Sequence, residues 1–251
     1  MIKLEDYQNA YKHIRFERRD GILQVRLHKN DGPAVWGAGL EDLHAEVGNA
    51  FFHVARDPDN EIVIVTGTGD EFITKVDQSA VDINTAFLDR GFKEGRDIFN
   101  NLLDIDVPVI GAVNGPATVH SELVLLSDIV IASERACFTD LHAPNGIVPG
   151  DGVHVFWEML LGPNRSRHYL LTGHVINAQE GRELGMVAEV VPHEQTLNRA
   201  WQVARDLLAK PRLMRRYSRV ALTQNIKRRL LDDLGYGMQL ESLAMLSMMG
   251  K

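Results

Sequence analysis

The chain reads as an α/β fold built on a mainly parallel sheet, and three observations carry that reading. Residues 62–66, 107–113 and 128–132 are apolar runs that do not alternate, the pattern of strands buried on both faces. Segments of helical periodicity separate those runs, so each strand is followed by a helix that can cover the sheet. At 251 residues, with 45% hydrophobic and 24% charged side chains, the chain can bury one large core with at most a small appendage.

In chain order, residues 13–17 and 22–27 alternate around Arg18-Arg19-Asp20-Gly21, a hairpin with an Asp-Gly turn. Residues 41–56 repeat apolar positions at Leu43, Val47, Phe51 and Val54, predicting a helix closed by an Asp-Pro-Asp-Asn turn. The strand 62–66 leads into 67–77, expected to be a glycine-containing loop that lacks the spacing of a phosphate-binding or dinucleotide-binding motif. A helix over 91–103 precedes the strand 107–113, which ends in Asn114-Gly115-Pro116. From Leu123 the pattern repeats: a helix, the strand 128–132 and a short extended piece at 136–138. Helices are expected at 153–160, 164–171, 178–184, 194–208, 212–223 and 227–248. Residues 1–192 therefore form the α/β core and residues 193–251 a helical region, with no internal repeat or low-complexity linker between them.

Charge and cysteine content exclude several functions. A net charge of −7 opposes an extended nucleic-acid surface, which needs clustered cations to neutralise phosphates. The nearest cluster is Arg212, Arg215, Arg216 and Arg219, followed by Lys227, Arg228 and Arg229; helical spacing makes it a solvated face, with some capacity for an anionic ligand. Cys137 is the single cysteine, so no disulfide forms within the chain, and its neighbours predict a buried strand residue. Residues 1–6 contain no apolar leader segment and no apolar run is long enough to cross a bilayer, which predicts a cytoplasmic protein. Ten histidines are present, yet no HExxH motif occurs and no two histidines fall at i,i+4 on a predicted helix; neither a zinc site nor a cofactor is expected.

Chemistry concentrates in His142-Ala-Pro-Asn-Gly-Ile-Val-Pro-Gly-Asp151. A general base needs an imidazole and a carboxylate that orients it, and a Gly/Pro-rich loop of this length can fold back to join the two. Asp140 competes for the orienting role: on a strand it would share a face with His142. Asp151 is preferred for its place in the Pro-Gly-x-Gly turn. His154 and His168 are expected on helix surfaces, and Asp128 is expected to brace a strand.

These segments carry a family resemblance. Val107-Pro-Val-Ile-Gly-Ala-Val-Asn-Gly115, Ser127-Asp-Ile-Val-Ile-Ala132, Gly146-Ile-Val-Pro-Gly-Asp-Gly152, Leu171-Thr-Gly173 with Ala178, and Gly185-Met-Val-Ala-Glu-Val-Val-Pro192 together resemble the crotonase (enoyl-CoA hydratase/isomerase) superfamily. The resemblance implies a spiral of ββα units with a C-terminal helical oligomerisation region, assembled as a homotrimer or a dimer of trimers. Most members bind an acyl-CoA and stabilise its enolate with two backbone N–H groups from glycine-rich loops. This chain has Phe72-Ile-Thr-Lys-Val-Asp77 and Pro116-Ala-Thr-Val-His-Ser-Glu122 in those loops.

Both departures resemble the branch of β-diketone hydrolases that includes 6-oxocamphor hydrolase and that cleaves carbon–carbon bonds without CoA. The likeness is close at Val35-Trp36, at Val113-Asn-Gly-Pro116 leading to His120, from His142 to Gly152, and at Glu241. It implies a small-molecule cyclic diketone as substrate, His142, Asp151, His120 and Glu241 as the acting groups, and Trp36 and His44 as substrate-binding residues. The residues alone also allow a core tryptophan, a helix histidine at position 44 and an exposed carboxylate at position 241. In the diketone reading His142 deprotonates water and later protonates an enolate carbon, while His120 donates to a carbonyl oxygen. Two rivals are ordinary CoA-thioester hydration or hydrolysis and a non-catalytic binding module.

Overall fold

The computed structural model describes residues 1–249. A short helix α1 (Leu4–Tyr7) buries Tyr7 and precedes the hairpin of β1 (Ile14–Arg19) and β2 (Ile22–Leu27). Asp20 (φ 51°) and Gly21 (φ 80°) both sit in the left-handed region, as the tight Asp-Gly turn requires. The chain continues through β3 (Ala34–Gly37), α2 (Leu43–Arg56), β4 (Ile62–Thr66), β5 (Ile73–Asp77), α3 (Thr85–Leu103), β6 (Val109–Val113) and α4 (Glu122–Leu125). Then come β7 (Ile129–Ser133), β8 (Cys137–Phe138), α5 (Val153–Leu161), α6 (Pro163–Thr172), β9 (Ile176–Asn177), α7 (Ala178–Glu183), β10 (Glu189–Val191), α8 (Thr196–Leu208) and α9 (Arg212–Met249).

The main sheet has the order β1-β2-β4-β6-β7-β10; β1 pairs antiparallel and the other pairings are parallel. Beside it runs a second layer in which β3 pairs with β5, Ile73 bridges Ala117, Ala117 bridges Phe138, and β8 pairs with β9. Each of β2, β4, β6 and β7 thus hands the chain to an extended piece of the second layer and then to a helix. That is the spiral of ββα units expected from the resemblance.

The period of two along the strands sorts side chains between two cores. Val63 and Val65 face a large core with Val47 and Phe51 of α2, whereas Ile62 and Ile64 join Ile110, Ala112 and Ile131 beneath Ala200 and Ala204 of α8. The first long helix of the 193–251 region therefore covers one face of the sheet. The last two residues of that region lie outside the described residues.

Four expectations need correction. Residues 73–77 are a strand, not loop: only Ile73 of β5 is buried, so the segment shows no apolar run for periodicity to detect. The helices expected at 212–223 and 227–248 are one continuous α9, because Thr223 turns its hydroxyl back to the Arg219 carbonyl (2.8 Å) and no Gly or Pro interrupts the join. The arginines of that helix are not uniformly solvated. Arg215 (5% exposed) pairs with Glu61, and Arg219 (2%) holds the Leu102 and Ile105 carbonyls at 3.0 and 2.6 Å as well as Asp128 at 2.6 Å, placing a cation at the C-terminus of α3. Cys137 lies on a strand as expected but is only partly buried. Asp128 braces β6, accepting from the Val109 amide at 2.8 Å.

Candidate active site

All six residues singled out by sequence, Trp36, His44, His120, His142, Asp151 and Glu241, line a single cavity of about 510 Å³. They arrive on different elements: Trp36 on β3, His44 at the start of α2, His120 in the turn before α4, His142 after β8, Asp151 ahead of α5 and Glu241 on α9. His120 adopts φ 48°, a left-handed conformation uncommon for a residue with a Cβ. The loop after β6 thereby turns the imidazole back over Trp36, and the rings stack at 3.7 Å between centroids and 28°. His44 meets the other side of Trp36 edge-on, at 5.4 Å and 83°. Trp36 is 5% exposed, and its indole N–H has no partner among the described residues. It belongs to the hydrophobic core and at the same time lines the cavity.

The orienting carboxylate of His142 is Asp140, a correction to the preference for Asp151. Asp140 is 7% exposed; it accepts from the His142 amide at 3.1 Å and lies 2.8 Å from Nδ1, so backbone and ring are both held. Asp151 lies at the other ring nitrogen, 3.4 Å from Nε2, beside Glu241 at 3.6 Å. The same Asp151 oxygen is 3.7 Å from Nδ1 of His120, and so stands between the two imidazoles. His120 is held more closely by Glu122, at 2.5 Å.

This clustering sets the protonation states. Burial alone would lower the His142 pKa, but Asp151, Asp140 and Glu241 override it and push it up to about 12. Burial likewise opposes charge on His120, and Glu122 and Asp151 outweigh it, so that pKa is also raised. The His142 ring is therefore cationic near neutrality. Burial raises the Asp151 carboxyl, yet His142, His120 and His154 bring it below the usual carboxylate range. Glu241 goes the other way: burial raises it, His142 opposes, and Asp151 adds to the rise. Two adjacent carboxylates are thus driven apart in basicity.

Three contributing groups escaped the sequence reading or were undervalued by it. Asp140 competes in sequence on the premise of a strand through His142; the strand ends at Phe138, and a turn closed by the Asp140 side chain on the His142 amide joins the two instead. Glu122, 5% exposed, stands two positions after His120, and Glu94 on α3 reaches Nδ1 of His44 at 2.7 Å with no signal in sequence. His154, expected on a helix surface, is half-buried against α9: its Nε2 is 3.4 Å from the Asp233 carbonyl, and a Cβ placed on Gly237 would lie 2.3 Å from its ring. His168 is exposed as expected. Two sets could hold a divalent ion, His120 with Glu122 and Asp151, and His142 with Asp151 and Glu241; in each the ligand atoms lie within 4.8 Å of one another.

Residues 17–243 match the family model described as enoyl-CoA hydratase/isomerase. The chain belongs to this family, the crotonase superfamily. Among curated relatives, the crotonyl-CoA hydratase of Syntrophomonas wolfei subsp. wolfei is 30% identical over 236 residues, covering 93% of this chain and 88% of the relative. Among solved structures, a β-diketone hydrolase from the cyanobacterium Anabaena sp. PCC 7120, bound to (S)-3-oxocyclohexyl acetic acid, superposes with a TM-score of 0.94 at 42% identity, covering 97% of this chain and 98% of that one. An enoyl-CoA hydratase/isomerase from Mycobacterium paratuberculosis superposes with a TM-score of 0.86 at 26% identity, covering 93% of each chain. In this crotonase-superfamily chain the wall of the cavity carries one Lys or Arg side chain among the described residues. That side chain, Arg90, is engaged with the Ala38 carbonyl at 2.6 Å and Glu94 at 3.6 Å.

Proposed function

We propose that the protein is a β-diketone hydrolase that cleaves a carbon–carbon bond of a bicyclic 1,3-diketone by water attack, giving a keto acid. The observation that carries this reading is His142, bracketed by carboxylates at both ring nitrogens and facing a second imidazole and an indole across an apolar cavity. The likeness to the Anabaena hydrolase supports it. Joining the carboxyl carbon of 3-oxocyclohexyl acetic acid to the more distant ring carbon beside the ketone, with loss of water, gives bicyclo[2.2.2]octane-2,6-dione.

The protonation states divide the labour. Glu241, made more basic by burial, accepts a proton from water as the water oxygen bonds to one carbonyl carbon. The N–H groups of His120 and Trp36 face the carbonyl oxygens and take up the developing negative charge. The tetrahedral centre then breaks its bond to the carbon between the carbonyls, and that electron pair becomes an enolate on the second carbonyl. His142 delivers its Nε2 proton to the enolate carbon, and Glu241 returns its proton to the ring. One diketone and one water become one keto acid. His142 acts here as the acid, and the base expected of it moves to Glu241, because an imidazolium cannot accept a proton from water. Asp140 and Asp151 keep the ring charged and aimed. No metal takes part, so dialysis against EDTA leaves turnover unchanged in this mechanism.

Mass spectrometry after incubation with bicyclo[2.2.2]octane-2,6-dione, without CoA, tests the reading. The expected product is heavier by one water and carries a new carboxylate, and His142→Ala lowers turnover by about 10²-fold or more while the fold stays intact. An unchanged diketone beside turnover of an enoyl-CoA panel would overturn the proposal in favour of thioester chemistry.

A cytoplasmic homotrimer or dimer of trimers belongs to the same proposal. Leu222, Leu231, Tyr236 and Leu243 of α9 are 76%, 79%, 70% and 64% exposed, an apolar surface that association would cover. No helix among the described residues is long and apolar enough to cross a membrane.

A further inference from the structure

The cavity is larger than the reaction requires. At the roughly 25 Å³ per non-hydrogen atom implied by a ~150 Å³ cavity that holds benzene, a volume of about 510 Å³ takes about twenty such atoms, twice the number in bicyclo[2.2.2]octane-2,6-dione. The surplus has a direction. Part of the wall is a furrow between α3 and α9, where Arg90 and Glu94 of α3 are tied to the Ala38 carbonyl and to His44, and it reaches the half-exposed Met248. The helices cross: Arg219 holds the Leu102 carbonyl, and further along α9 Gly235 and Met238 stand against Phe92 and Gly95 of α3.

Along that furrow α9 offers Met245 and Met248 beyond Glu241, and α3 offers the partly buried Phe92, Leu88 and Phe87. The seven residues from Glu241 to Met248 rise about 10 Å, close to the reach of an extended octyl chain. Methionine and aromatic side chains adapt to flexible apolar ligands without presenting a polar group. Gly91, at the centre of the α3 wall, has no atom within 4 Å of where a Cβ would stand, so the wall is hollow where a side chain could have been placed. A helical glycine costs about 1 kcal/mol relative to alanine, and here the cost keeps space open.

We infer that the preferred substrate is a bicyclic 1,3-diketone bearing an unbranched or terpenoid apolar extension of about eight carbons, directed away from the two carbonyls. This rests on the diketone reading. With both carbonyls at the His120 and His142 end, the substituent position that points down the furrow is the far bridgehead, opposite the carbon between the carbonyls.

The test is kcat/KM for 4-alkyl bicyclo[2.2.2]octane-2,6-diones with hydrogen, methyl, butyl and octyl at the far bridgehead, in wild type and Gly91→Leu. Burial of a methylene is worth about 0.8 kcal/mol, so the value is expected to rise about threefold to fourfold per carbon as the chain enters the furrow. Gly91→Leu should flatten that slope. Hydrolysis of the parent diketone with a flat or falling series in wild type would overturn the extension and leave the diketone reading standing. A slope that survives unchanged in Gly91→Leu would also overturn it, because the chain would then bind elsewhere. Failure of every member, octyl included, would remove the diketone reading itself.

Discussion

A carboxylate two positions before the histidine fixes the ring of His142, while the one nine positions after it does most to hold that ring charged. Asp140 fixes Nδ1 at 2.8 Å, leaving Nε2 toward Asp151 and Glu241. The folded pKa is raised to about 12 from an ordinary value near 6.5, so the stability His142 contributes is present in full below about pH 6.5 and is lost as pH rises toward about 12. Its ¹⁵N ring shifts are expected to remain those of an imidazolium from pH 6 to 10; a titration near 6.5 would contradict the acid role. Asp140→Asn should lower kcat by between about 10²- and 10⁴-fold, with the ring's titration moving down toward neutrality. Glu241 has the opposite bearing on pH: with its pKa raised, activity should fall on the acid side above the usual glutamate range, and Glu241→Gln should abolish that limb along with most turnover. Trp36→Phe removes only an N–H donor, so KM should rise up to roughly 10-fold with kcat less affected. Asp140 was legible as a competitor two positions before the histidine, but a side-chain turn onto the His142 amide joins them, not the strand on which that reading relied. The role of His142 was not legible, because its protonation depends on how three carboxylates converge on it, one of them Glu241 from the far end of the chain.

At the scale of elements, the approach of α9 to the loop before α5 sets the site's width. A Cβ on Gly150 would lie 2.1 Å from the Gly237 carbonyl oxygen, and one on Gly237 would lie 2.5 Å from the Gly150 carbonyl oxygen, so the two backbones touch where only hydrogen fits. Glu241 stands one turn beyond that contact, and its distance from His142 follows from it. Gly237→Ala should therefore push the helix outward and reduce kcat by at least about 10-fold, since small misplacements of reacting groups are costly. Far-ultraviolet circular dichroism should stay unchanged, and a normal kcat would show that Glu241 needs no such contact. The sheet strands and most helices were readable because burial on both faces or on one stripe writes itself into periodicity. β5 and the unbroken α9 were not, since a strand with a single buried residue carries no apolar run and a polar stretch of helix looks like a boundary.

For the whole molecule, the expected spiral of ββα units is present, and the six residues chosen from sequence meet in one cavity although they span positions 36 to 241. The order of motifs was enough for that, because the spiral returns each loop after a main-sheet strand to the same end of the molecule. Glu94 was invisible, as nothing in an amphipathic helix distinguishes the glutamate that meets a histidine on its neighbour. Light scattering coupled to size exclusion should give three or six times the chain mass; a stable monomer with full activity would leave the exposed side chains of α9 unexplained.

The position of Glu241 also has a meaning in time. Ninety positions separate it from Asp151, and the other five residues singled out from sequence all precede α5. On the ribosome the sheet, the two histidines and their carboxylates can assemble while α9 is still unmade. The nascent chain can therefore hold much of the pocket before it holds Glu241, and the proposed hydrolysis would wait until the last helix docks.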